Sequence, residues 1–286
     1  MKLHHYRKRH LSATVTMSRS ACEKLPQEVI AAIVDNIRDD NESLEVFSLV
    51  CKAWINPARY HLFASLTIRD MNDLRDIKSA NIAPAYTPFL RELCLASSKD
   101  HHNFWREVIF LLHDFRTPRL RSLDLRSLTW HSLSPAHRSA FLCQFDSIVS
   151  LQLKLYKQGT SPDIATIVCS FPHLRKLILR ESRVKDSCPR PSPVSPELRL
   201  PQQLSTLCAT YTRQDHQLFL GWLASIPQQL AIHTLDLSLH SIALQDCMTI
   251  SEFFKALGPS LEVLRCNTGM FMLPTPTIGL SQRYPP

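Results

Sequence analysis

The sequence predicts an α+β protein: a small unit of three helices, then an α/β solenoid of about seven irregular repeats. Three observations carry this expectation. A short leucine pattern recurs seven times at near-even spacing. The stretches between copies set apolar residues at helical intervals. Ahead of them lies a segment whose apolar positions fall on three short helices.

The chain opens on residues 1–21, which are basic (Lys2, Arg7, Lys8, Arg9 and Arg19) and hold no acid. A disordered tail is the default expectation for such a stretch; an organelle transit segment and a nuclear signal at Arg7-Lys8-Arg9 are the alternatives. Residues 22–68 turn acidic, with seven acids against four bases. Val29, Ile30, Ile33, Val34 and Ile37 form a helical stripe opened by Pro26. After the polar turn Arg38 to Glu42, Leu44, Phe47, Leu49, Val50 and Cys51 form a second helix, followed by Trp54. Ala58, Leu62 and Phe63 mark a third. So small a unit cannot bury all these side chains, so some must meet a partner.

The repeats fill residues 69–270. Clear copies are Leu90-x-x-Leu93-x-Leu95, Leu120-x-x-Leu123-x-Leu125, Ile148-x-x-Leu151-x-Leu153 and Leu174-x-x-Leu177-x-Leu179. Looser ones centre on Leu207, Leu235 and Leu264, and a degenerate copy, Phe63-x-x-Leu66-x-Ile68, precedes them all. From Leu93 onward the steps are 30, 28, 26, 30, 28 and 29 residues, the length of a strand, a helix and two turns. Such units bury their apolar faces only by stacking. The alternative is an unrelated α/β domain with coincidental leucines.

Between copies, Phe104, Val108, Leu111, Leu112 and Phe115 follow a helical period, as do Ile164, Ile167, Val168 and Phe171. Ser134-Pro135 and Ser161-Pro162 each offer a capping hydroxyl and a first-turn proline. Leu218 to Ile226 and Ile250 to Leu257 are two more helices, the last stopped by Gly258-Pro259. Residues 185–201, within a stretch of five prolines, read as a loop. Residues 271–286 read as a tail.

Composition removes several classes. Five scattered glycines leave no phosphate-cradling loop. Nine cysteines without a C-x-x-C pair, and histidine pairs without matching ligands, give no metal site, and no cofactor is expected. No apolar run is long enough to cross a bilayer. The cysteines read as reduced thiols, which places the chain in the cytoplasm, the nucleus or both. No residue stands out as catalytic, and the expectation is that the protein is not an enzyme.

The N-terminal helical segment resembles an F-box. Leu25-Pro26-Gln27-Glu28 matches its opening, and Leu44 through Trp54, reading LEVFSLVCKAW, matches its second half. With the leucine-rich repeats behind it, the chain is similar to the F-box proteins with C-terminal leucine-rich repeats. A longer polar turn around Asp39-Asp40-Asn41 and Val34 in place of a frequent Phe are departures. The resemblance implies the substrate receptor of an SCF-type cullin–RING ubiquitin ligase, docked on a Skp-type adaptor. Leu25, Pro26, Ile33, Leu49, Val50, Cys51 and Trp54 would face the adaptor or brace that face. The repeats would hold a target protein.

Side chains flanking the pattern leucines face the opposite side of each strand. Among them Arg126, Lys154, Lys176 and Arg180 are expected to form a basic patch that reads an acidic or phosphorylated segment of the target. A merely solvated face is the competing reading. A net charge of +8 also suits a nucleic-acid-binding solenoid, disfavoured because aromatics for base stacking are lacking. A scaffold outside any ligase is the other alternative.

Overall fold

Eight strands lie edge to edge in chain order, every neighbouring pair parallel, in one sheet. The computed structural model describes residues 25–79, 86–97, 101–114, 118–128, 130, 133–155, 161–180, 198–211, 214–226, 230–239 and 244–268. The tails at 1–21 and 271–286 lie outside these residues, as does the proline-rich loop except for its last residues, 198–201.

Three helices come first: α1 (Gln27–Asn36), α2 (Asn41–Val50) and α3 (Lys52–Leu62). Asp40 caps α2, its carboxylate accepting from the Ser43 N–H at 3.2 Å and the Ser43 hydroxyl at 2.6 Å. Pro57 lies inside α3 and cannot donate to the carbonyl of Ala53. The side-chain amide of Gln27 donates to that carbonyl instead, at 3.2 Å, and so ties α1 to α3. Ile30, Val34, Leu44, Trp54 and Leu62 form the core of this unit.

The strands are β1 (Ser65–Ile68), β2 (Glu92–Ala96), β3 (Ser122–Leu128), β4 (Ser150–Leu155), β5 (Lys176–Leu179), β6 (Thr206–Tyr211), β7 (Thr234–Leu239) and β8 (Val263–Thr268). The register sets leucine beside leucine: Leu66, Leu93, Leu123, Leu151, Leu177, Leu207, Leu235 and Leu264 occupy one row across the sheet. At the entry to each strand from β2 onward, one carbonyl of the preceding unit accepts two successive N–H groups. Ala64 O serves Arg91 and Glu92, Arg91 O serves Arg121 and Ser122, and the step recurs as far as Val263. That repeated bond fixes the offset between units without side chains, so the register survives irregular repeat lengths.

Helices α4 (Met71–Ser79), α5 (His101–Asp114), α6 (Pro135–Leu142), α7 (Ser161–Cys169), α8 (Gln214–Ser225) and α9 (Leu244–Leu257) follow the strands. Their buried apolar residues and the row leucines from Leu66 to Leu235 share one core, in which Phe141 meets Trp105, Trp130 and Phe145 edge-on. Ser134 caps α6 as its position suggests, accepting from the His137 N–H at 3.2 Å. Leu264 in β8 is about half exposed, since no helix among the described residues follows this strand to cover it.

The fold class is therefore α/β, built on one eight-stranded parallel sheet with flanking helices. The expectation of an α+β protein, an F-box followed by a leucine-rich-repeat solenoid of about seven repeats, is corrected. The physical reason lies at the junction. The degenerate copy at Phe63 supplies a full strand, β1, that pairs with β2 over four residues. Phe63 packs against the core of the three helices and against the main core at once. Its ring lies 4.5 Å from that of Tyr86, and the Arg91 guanidinium sits 4.0 Å over the Tyr60 ring of α3. The helices thus continue into the sheet.

Candidate functional site

Because side chains alternate along a strand, each leucine turned toward the helices leaves its neighbours on the opposite face. Among the described residues no helix covers that face. A cavity of about 570 Å³ lies on it, spanning β1 to β5. Its walls are mostly short and polar: Ser65, Thr67, Ser122, Ser150 and Gln152, with Arg69, Glu92, Cys94, Ser97, Asp124 and Arg126 among the rest.

The centre of the cavity is an ion pair. Arg126 donates through Nε and Nη2 to the same oxygen of Asp124, Oδ2, at 2.8 and 2.6 Å. The Cys94 thiol, on the neighbouring strand, donates to that oxygen at 3.6 Å. Burial first, then the Asp124 charge, push this thiol up to about 11. The hydrogen bond to Asp124 likewise raises the Arg126 guanidinium above its ordinary value. Beside this group Ser97 is buried, its N–H donating to the Arg126 carbonyl at 3.3 Å. Just beyond, Ser127 adopts φ +61° at a register break between Arg126 and Leu128. The bulge turns Leu128 into the core while Arg126 stays on the open face.

The four cations expected to cluster do not all meet. Arg126 pairs with Lys154 in register, and the Arg180 N–H donates to Leu153 at 2.9 Å, which sets Arg180 beside Lys154. These three stand side by side at the C-terminal ends of β3, β4 and β5. Lys176 pairs with Ser150 at the opposite end of β5, four residues or about 13 Å from Arg180. Arg126 is also committed to Asp124. Sequence reasoning missed Arg69, which follows β1 and joins the cavity wall. The strand at Leu66 and Ile68 would have revealed it, had the degenerate copy been read as a full strand.

The residues expected to contact an adaptor divide by burial. Leu25, Ile33 and Leu49 are exposed, Leu49 by 81%, and with Val29 and Val46 they leave apolar surface on α1 and α2. Pro26 is the exposed residue that opens α1. Val50 and Cys51 are half-buried against the three-helix core. Trp54 is buried, stacked on Phe47 at 4.8 Å. It braces the unit from within.

No family model and no curated protein matches the chain. With the α/β architecture, this corrects the identification as an F-box protein with leucine-rich repeats. The SCF-type substrate-receptor role and the partnership with a Skp-type adaptor and a cullin–RING ligase, with the target such a receptor would hold, fall with it. Among the described residues no helix is long and apolar enough to cross a membrane.

Proposed function

We propose that this chain is a non-catalytic binding module that works through the uncovered face of its sheet. The observation that supports this is the division of the sheet: one face is sealed by helices, and the other is an open, polar surface with a cavity across five strands. Short hydroxyl side chains lose little conformational entropy on contact, so such a surface suits recognition of a partner's exposed groups. The free thiols of the described cysteines fit a reducing compartment, in keeping with cytoplasm or nucleus.

The test places a photo-crosslinking residue at Gln152, in the cavity wall, and separately at Arg106, on the exposed side of α5. A binding face at the sheet gives discrete adducts in cells from position 152 and none from position 106. Equal yields from both positions, or none from 152, overturn the reading.

The apolar surface of α1 and α2 supports a second contact area, centred on Leu49. Leu49→Glu removes apolar surface without opening a core. Loss of a crosslink formed from Val46, with unchanged thermal stability, is the expected result.

A further inference from the structure

On the open face one row of residues is free of acids, a pattern that the sequence alone does not display. Successive strands are about 4.8 Å apart, so residues in register form straight lines across the sheet. The line at the C-terminal strand ends runs Ala96, Arg126, Lys154 and Arg180, and Arg69 joins it from the residue just past the end of β1. It carries four cations and no acid. The next line inward holds Asp124, Asp236 and Arg265, and the line beyond that Glu92 and Lys176. Acids are therefore present on this face but kept out of the outer row.

Within that row the cations differ. Arg126 is held by Asp124, its charge largely balanced. Lys154 and Arg180 are exposed, and neither forms an ion pair with an acid among the described residues. Two unpaired cations on adjacent strands repel one another, an arrangement relieved when one doubly charged group bridges them. A tetrahedral oxyanion fits: it offers several acceptor oxygens, and charge-assisted bonds to ammonium and guanidinium are the strong ones.

We infer that Lys154 and Arg180, flanked by Arg126, form a binding site for a phosphate group at the C-terminal ends of β4 and β5. The cavity begins beside this site, so a phosphate-bearing ligand extends over Asp124 and the serine side chains of β3 and β4. This inference rests on the open face being the binding surface. Among the described residues no aromatic side chain lines the cavity to stack a base, and the inner acids oppose a long polyphosphate. A single phosphate group on a peptide or on a small molecule is the chemistry favoured.

The test is a set of calorimetric and ¹⁵N-NMR titrations of the full chain at fixed ionic strength. The probes are inorganic phosphate, a phosphoserine peptide, its unphosphorylated counterpart and a short single-stranded oligonucleotide. Phosphate and the phosphopeptide are expected to shift Lys154 and Arg180, with the unphosphorylated peptide silent. Tighter phosphopeptide binding would identify a peptide source, and equal affinities a free phosphate compound. Lys154→Gln with Arg180→Gln should weaken binding at least tenfold, whereas Lys176→Gln leaves it unchanged. Equal loss with Lys176→Gln, no binding of either phosphate probe, or tighter binding of the oligonucleotide would overturn the inference. Adducts from position 152 together with silent phosphate titrations would overturn this site and leave the binding-module reading standing.

Discussion

Arg126 closes on Asp124 through a single oxygen, Nε and Nη2 both donating to Oδ2 at 2.8 and 2.6 Å. The pair sits two residues apart on one strand face, where alternation brings i and i+2 side chains together. It governs the chemistry of the cavity, because the Cys94 thiol shares the same oxygen.

Asp124→Asn removes a negative charge and a hydrogen bond that both hold the Cys94 thiol up. Alkylation of Cys94 by iodoacetamide at pH 8 should therefore be faster in the variant, by severalfold. In the parent chain Cys94 should react more slowly than the exposed Cys247. Peptide mass spectrometry after timed quenching reads both rates.

The same thiol sets a pH dependence. Its value in the fold is raised from 9.0 to about 11, so the folded state holds the proton more tightly than the unfolded chain does. The corresponding stability is fully present below pH 9 and is lost as pH rises toward 11. Urea midpoints measured from pH 8 to 11 should fall less for Cys94→Ser than for the parent chain.

Gln27→Ala leaves the Ala53 carbonyl without the donor that Pro57 cannot supply. The expected loss is about 1 kcal/mol in denaturant unfolding. Restoring an N–H by Pro57→Ala in the same chain should recover part of that loss. Additive losses instead would show that the two are not coupled.

Ser127 holds a left-handed backbone without being glycine. Ser127→Gly should raise stability by about 0.5–1 kcal/mol, since the Cβ penalty disappears while the bulge geometry remains. A fall in the urea midpoint would show that the Ser127 side chain supports the bulge.

Phe141 is fully buried among three aromatic rings. Its truncation to Ala should cost about 3–5 kcal/mol, as expected when a large ring leaves a cavity in a packed core. Phe63→Ala, at the junction of the two cores, should give two unfolding transitions in place of one by calorimetry.

Which residues form strands and which helices was largely legible in the sequence. A leucine at every second position, recurring with a fixed companion three residues before, can satisfy a buried strand only one way. The cap at Ser134 read equally well, because capping is a local matter of one side chain and the next turn. What stacks on what is different. The junction at Phe63 depends on Tyr86 and Phe89, more than twenty residues on, whose proximity no local pattern announces. The three helices therefore run on into the sheet through β1.

The candidate site divides along the same line. Alternation alone placed Arg126, Lys154, Lys176 and Arg180 on the open face, since period-two geometry is a property of the strand. Only the register across strands decided that Lys154 and Arg180 are neighbours and that Lys176 stands at the far end of β5. Only the packed structure showed Arg126 spent on Asp124. Sequence determines which way a side chain points. The charge it finds beside it is set by hydrogen bonds between strands some thirty residues apart, and these form only when the sheet does.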